Sequence, residues 1–547
     1  MKSAASQRRK TSRSIYKFFT KLNGLHLQSD AASFLEKHFE DQPNIDEALS
    51  HLAKAYKKQF TDENMFVKKK DLESLITSLN NVTPTRIEND INSGIQDMTI
   101  DDEPIDIAQH FHVVNAFDMP RMYYDIRRKG FVKYATTPSL MSTPKEKSEL
   151  YRDRLQLVKQ RVLRDEHFDQ SSSSQAMDPD SNSYLKITPI KALIGRDREH
   201  FLLFGMLTQL EDGKVFLEDE DANVQLDLSQ CAYTSGFFTD HTFVLVEGLY
   251  GDDHVFHVYE MGFPPAEPRT TSENFTHVDF LDLQKPTIDK HRLKAEEESN
   301  EDVFFAIISD VHLDERMVIP SLRRVFERYS STRIPLAFIL IGNFSRQAFS
   351  YTGQNTGPYK DSFTALADLI FEFQEIASNS YFIFVPGCRD PWGGLSLPQP
   401  ALPEFLTSRI QHKVRRAIFT SNPCRIRYCT QDIVVYREDL FNALSRNALL
   451  APRLEEDEEP SKHLIRTIID QGHLSPLPLT KRPIYWAYDH SMRLYPLPHA
   501  LILADECETF GVTYQGTHCL NPGSFPNSSF SWREYFPAKQ TSEKCTL

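Results

Sequence analysis

A chain of 547 residues is too long for one hydrophobic core, and its 40% hydrophobic and 25% charged residues exclude a mostly disordered protein. A net charge of −14, from 62 basic and 76 acidic residues, excludes a protein that coats duplex DNA unaided, because nonspecific affinity comes from neutralised phosphates. Seven cysteines with no C-x-x-C spacing suggest reduced, structural thiols in an intracellular protein; no apolar run approaches the roughly 18 residues of a membrane span, and Met1–Lys10 lacks the apolar core of a secretory signal.

The first 78 residues read as a small helical bundle. Asn44 and Glu47 form a capping box, followed by Ile45, Leu49, Leu52, Ala53 and Tyr56 at helical spacing. Asp30 caps a second helix with the face Ala31, Phe34, Leu35, His38 and Phe39, and Ile15–Leu22 and Lys69–Leu79 supply two more. The acid-free basic tip (Lys2, Arg8, Arg9, Lys10, Arg13, Lys17 and Lys21) reads equally as an import signal or DNA-touching arm and as a solvated helix start. Residues 79–110 read as an acidic flexible linker, since periodicity fails after Asn80 and acids accumulate up to Asp101-Asp102-Glu103-Pro104.

Residues 111–183 read as a connector that packs on the C-terminal body. Phe111, Val113, Val114 and Phe117 form a structured patch, and Thr143-Pro144-Lys145-Glu146 opens a helix with the stripe Tyr151, Leu155, Val158 and Val162. Ser171–Ser174 closes the unit as a loop. Residues 184–285 turn to β pattern. Val215–Leu217 and the alternating Val224, Leu226 and Leu228 make a hairpin, and Thr242–Glu247 and Val255–Met261 are further strands. Short strands at this density suit an OB-type barrel, with a small sandwich as the alternative.

Residues 286–547 alternate strand and helix: Val303–Ser309, Ser321–Tyr329, Leu336–Ile341, Phe363–Ile376 and Tyr381–Val385. Open α/β sheets place their sites in the loops after such strands. Asp432–Tyr436 and Ala500–Ala504 suggest a second sheet, and Arg453–Glu459 is an acidic surface insert.

Those strand ends carry the chemistry. The first runs into Asp310-Val311-His312, the second into Gly342-Asn343, the third into Gly387-Cys388-Arg389-Asp390, and Asn521-Pro522-Gly523-Ser524 follows late in the chain. This order resembles calcineurin-like phosphoesterases, which place Asp-x-His, Gly-Asp and Gly-Asn-His-Asp/Glu at these points around two metals. The resemblance implies that Asn343 replaces the bridging Asp, Cys388 a metal-ligating Asn, and Arg389 the His that protonates the leaving group. A two-metal site needs its bridging carboxylate, and a neutral amide cannot offset two divalent charges. The late Gly-His-x-His is missing, with Ala504-Asp505-Glu506-Cys507 in its place. Asp310, His312, Asn343, Cys388, Arg389 and His473 are therefore vestigial metal-site positions, with no catalytic residue, metal or cofactor expected, and Asp310 is expected to be held by backbone or by Arg389.

A degenerate phosphoesterase preceded by an OB barrel resembles the B subunits of the eukaryotic replicative DNA polymerases. Gln471-Gly472-His473-Leu474-Ser475-Pro476, Tyr485-Trp486-Ala487-Tyr488-Asp489, Tyr436-Arg437-Glu438-Asp439-Leu440 and Val114-Asn115-Ala116-Phe117-Asp118 are similar to the epsilon branch. The resemblance implies a noncatalytic accessory subunit of nuclear DNA polymerase epsilon, acting in chromosomal replication and repair. It implies as partners the C-terminal region of the catalytic subunit, the small histone-fold subunits and, through residues 1–78, the replicative helicase assembly. DNA contact would be indirect or weak, and no membrane is involved. Two other functions are weighed against it: a divergent metal-dependent phosphodiesterase, and single-strand binding by the barrel through Tyr233, Phe237, Phe238 and Phe243. Acids at Glu218–Asp221 crowd the barrel hairpin, and barrel aromatics more often belong to the core.

Limited proteolysis of the full chain is expected to cut between Asn80 and Pro104 and release a helical fragment. Resistance there, with cutting at Ser171–Ser174 instead, would move the domain boundary.

Overall fold

The computed structural model describes residues 110–547 apart from 166, 169–185, 212, 277, 284–289, 395 and 451–458, together with residues 26, 27, 31, 34, 35, 66, 67, 69 and 72. It divides into two compact units, Met1–Pro104 and Ile105–Leu547. In the first unit Ala31, Phe34 and Leu35 are helical, as are Lys69 and Leu72. A parallel pairing of His26–Leu27 with Phe66–Val67 adds a strand element that the helical periodicity does not announce. The capping box at Asn44, the basic tip, the linker, Ser171–Ser174 and most of the acidic insert lie outside the described residues.

The second unit holds two six-stranded sheets stacked face to face. In the first, Phe305–Ser309, Ala337–Ile341, Tyr381–Val385 and Ala417–Phe419 run parallel, with Trp532–Phe536 and Thr541–Cys545 added antiparallel. The second runs Phe510–Tyr514, Thr517–Asn521, Ala500–Ala504, Gln431–Arg437, Cys424–Tyr428 and Phe111–Asn115. Ile307, Ile339 and Ile383 from one sheet meet Ile426, Ile433 and Ile502 from the other in a dry core. Strands buried on both faces read as unbroken apolar runs, which is why Phe304–Ile308 is legible in the sequence. Helices Val318–Ser331 and Thr356–Glu372 cover the outer face of the first sheet, and Leu440–Asn447 and Pro460–Gln471 cover that of the second.

The patch at Phe111 is more than part of a connector. It is the edge strand of the second sheet, paired antiparallel with Cys424–Tyr428. Helix Pro144–Val162 starts where the capping box places it, with the Thr143 N–H donating to Glu146 Oε2 at 2.6 Å. Its Leu155, Val158 and Val162 pack on Phe204, Met206 and Phe243 of the barrel. Arg154 Nε donates to Asp489 Oδ1 at 3.0 Å, and Arg493 Nη2 to Asp153 Oδ2 at 3.2 Å, which clamps the helix to the sandwich.

Residues 200–262 close into a barrel. His200–Glu211, Lys214–Glu218, Asn223–Asp227, Val255–Gly262 and Phe243–Tyr250 pair in that order, and the last returns to the first. The expected hairpin and the two later strands are present. The long strand His200–Glu211 escapes the sequence pattern, because its buried run shows no alternation.

One helix joins barrel to sandwich. On Pro460–Gln471, residues His463, Thr467 and Gln471 are four apart and share a face. His463 Nδ1 accepts from the Gly236 N–H at 3.0 Å, Thr467 Oγ1 from the Phe237 N–H at 2.8 Å, and Gln471 both accepts from and donates to the Phe243 backbone at 2.8 Å. Phe237 inserts its ring into the core beneath that helix. Gln471→Leu is expected to leave two buried backbone groups unpaired, at about 1–3 kcal/mol each. The thermal midpoint of the full chain should fall by several degrees.

Candidate functional site

The loops after the parallel strands converge at one end of the sandwich. Asp310, Gly342 and Gly387 follow Ser309, Ile341 and Val385 closely, and Arg437 and Ala504 end the facing strands of the second sheet. The approach is so close that a side chain on Gly342 would sit 2.0 Å from Asp390 Oδ2, and one on Gly387 2.5 Å from Asn343 Oδ1. Glycine is required at both positions.

Asp310 is buried. Its Oδ1 accepts from Arg437 Nη2 at 2.9 Å, Arg437 Nε at 3.2 Å and the Asn343 N–H at 3.1 Å. Burial pushes the carboxyl up, but the Arg437 charge, aided by His312 and the Asn343 hydrogen bond, outweighs it and holds the carboxyl below its ordinary range. Arg437 is 0% exposed and bonds also to Asp439 Oδ1 at 2.6 Å and to the carbonyls of Gly342 and Ala504 at 3.1 and 3.2 Å. The expectation that Arg389 would hold Asp310 is therefore corrected. Arg389 turns outward to Glu506 Oε1 at 2.9 Å, and the buried cation comes from the second sheet.

The other positions singled out in the sequence are similarly engaged. Asn343 Oδ1 accepts from the Arg389 N–H at 2.8 Å and lies 3.6 Å from Cys388 Sγ. Burial pushes the Cys388 thiol up to about 11, so it stays protonated near neutral pH. His312 is buried with neither ring nitrogen hydrogen-bonded, and burial lowers its pKa so that the ring is neutral. Asp390 accepts from the N–H groups of Gly387 and Phe344 at 2.8 and 3.0 Å and from Tyr359 at 2.9 Å, although burial still pushes it up to about 6. It fastens the two loops together.

His473 does not belong to this group. Its ring lies between Asp489 Oδ1, at 3.2 Å, and the Ser475 N–H, at 3.1 Å, in the clamp that holds helix Pro144–Val162; burial and the nearby Arg154 push it down to about 4. In place of the late histidines, Asp505 accepts from the Phe441 and Cys507 N–H groups, and Glu506 meets Arg389.

Two metals do not fit these residues. Arg437 sets a permanent positive charge against Asp310 Oδ1, Asn343 brings no charge, and Cys388 brings a protonated thiol. Among the described residues no group of three or more His, Cys, Asp or Glu could hold a metal ion. The barrel aromatics do not form a stacking platform either: Phe237, Phe238 and Phe243 are buried in core, and Tyr233 packs against Phe238. All seven thiols are free, and no described helix is long and apolar enough to cross a membrane.

Residues 305–512 match the family model for the B subunit of DNA polymerases alpha and epsilon, and residues 144–265 match that for the OB-fold domain of proteins like DNA polymerase epsilon subunit 2. The chain is 37% identical over 538 residues to DNA polymerase epsilon subunit 2 of Homo sapiens, covering 96% of this chain and 97% of that one. The chain belongs to the family of DNA polymerase epsilon B subunits. It is 35% identical to the DNA polymerase epsilon B subunit of Arabidopsis thaliana over 82% of this chain and 85% of that one, and 36% identical to that of Schizosaccharomyces pombe over 80% and 77%. Among solved structures, an archaeal phosphodiesterase is matched at 12% identity and a TM-score of 0.25, over 45% of this chain and 99% of its own. As a member of this family the chain is a noncatalytic, accessory component of the polymerase epsilon complex.

Arg437 is legible in the sequence only as part of a family motif. Its pairing with Asp310 spans 127 residues and two sheets, and no local signal reports it. Arg437→Met is expected to destabilise the chain by about 3–5 kcal/mol, because it leaves a buried carboxylate unpaired. Adding Asp310→Asn should recover much of that loss in a denaturant titration. Asp310 has a lowered folded pKa, so its contribution is complete above its unfolded value, near ~3.9, and is lost as pH falls through the folded one. That acid-side increment should be missing in Asp310→Asn.

Proposed function

We propose that this chain is a scaffold whose phosphoesterase domain serves assembly, gripping the C-terminal region of the polymerase epsilon catalytic subunit with barrel and sandwich together. One observation carries the reading: the buried Arg437 guanidinium sits on Asp310, where hydrolysis would need a metal. A centre neutralised in this way has no use for an open cleft. The clamp at Arg154–Asp489 and the joint along Pro460–Gln471 tie barrel and sandwich together, as a platform for a large partner requires. The small histone-fold subunits of the complex, the replicative helicase assembly through residues 1–78, and a nuclear location complete the proposal, supported by the whole-length similarity to epsilon subunits. The acidic balance of the chain favours protein partners over direct DNA contact.

Co-expression of the full chain with the C-terminal part of a polymerase epsilon catalytic subunit should give one stable complex on size-exclusion chromatography; separate elution at micromolar concentration would refute it. Purified protein with excess manganese should hydrolyse no bis-p-nitrophenyl phosphate above background. Asn343→Asp should not restore turnover, because Arg437 still holds Asp310. Two tightly bound metal equivalents, with turnover abolished by Asp310→Asn, would restore the enzyme reading.

A further inference from the structure

A cavity of about 720 Å³ lies on the outer face of the second sheet, apart from the Asp310 centre. That volume is within the roughly 300–1,000 Å³ typical of small-molecule sites. Strand alternation builds its floor: Ile426, Ile433 and Val435 point into the sandwich core, so Arg425 and Arg427, paired across the ladder with Val434 and Asp432, face outward into the cavity. The opposite wall is aromatic. Phe131 stacks on Tyr495 with ring centroids 5.3 Å apart and meets Phe280 edge-on at 4.9 Å.

The charges of the floor do not cancel. Asp432 accepts from both Arg427 and Arg269, and Asp279 takes the remaining arm of Arg427. Arg425 is left without a carboxylate. Its Nη2 donates to the carbonyls of Arg493 and Ser491 at 2.5 and 3.3 Å, and its Nε points to Met119 Sδ at 3.3 Å. Among the described residues it has no ion pair, although burial lowers it only to about 10 and it stays charged near neutral pH. A buried, unpaired guanidinium is costly unless an anion meets it. His490, in the same lining, spends Nε2 on the Met119 carbonyl at 3.0 Å and keeps a buried Nδ1 with no partner.

We infer that this cavity binds a small organic anion with an aromatic body: a carboxylate or phosphate group on Arg425 and a ring against Phe131, Phe280 and Tyr495. The inference is independent of the scaffold reading, since it shares no residue with the centre that carries it.

The test is calorimetric titration of the full chain with phenyl phosphate and with phenylacetate, beside inorganic phosphate and benzyl alcohol. One-to-one binding of at least one aromatic anion is expected, about tenfold or more tighter than either control, and the tighter of the two identifies the head group. Arg425→Gln should weaken it by about tenfold or more. Because Arg425 is buried, Leu283→Trp, which fills the cavity from its partly exposed rim, and Phe280→Ala provide independent variants that should also weaken binding. Absence of binding by both aromatic anions, controls that bind equally well, or an affinity unchanged by Arg425→Gln and by Leu283→Trp would overturn the assignment.

Discussion

A guanidinium buried at the meeting point of two sheets sets the terms for the rest of the sandwich. Arg437 carries a charge it cannot lose, so the surrounding chain must supply acceptors or leave a charge unsolvated. It does so from every side. Asp310 comes from the end of one first-sheet strand and the Gly342 carbonyl from the next, while Asp439 and the Ala504 carbonyl come from the second sheet. The cation that draws these strand ends together is part of the chain, and the Asp310 carboxylate is engaged in holding the two sheets to each other.

The remaining motif residues have changed occupation in the same way. Asp390 ties the Phe344 loop to the Gly387 loop and to Tyr359. Asn343 uses its amide oxygen on a neighbouring backbone N–H. Only His312 retains unengaged nitrogens, and one neutral imidazole holds metal weakly. A fold can outlive its chemistry when the site residues become necessary to the packing.

Much of this is legible before any coordinates. Buried parallel strands announce themselves as apolar runs, so Ala337–Ile341 and Tyr381–Val385 are found within a residue. What escapes is what depends on long-range pairing. Phe111–Asn115 completes its sheet with a strand about 300 residues away, and Arg437 finds Asp310 across the sandwich. His473, grouped with the strand-end residues in the sequence, is directed by the fold to Asp489 instead.

The helix Pro460–Gln471 makes its hydrogen bonds to the barrel through backbone amides and a carbonyl, while the Phe237 ring packs beneath it. The polar part of this joint is therefore blind to side-chain identity and sensitive to spacing. Exchanging one residue for another in the loop from Gly236 to Phe243 preserves the hydrogen bonds that the helix makes, provided the buried rings and Gly236 are kept and no proline replaces a donating N–H. Adding or removing one residue shifts all of them out of phase with a stripe that repeats every four positions. The loop is constrained in length before it is constrained in composition.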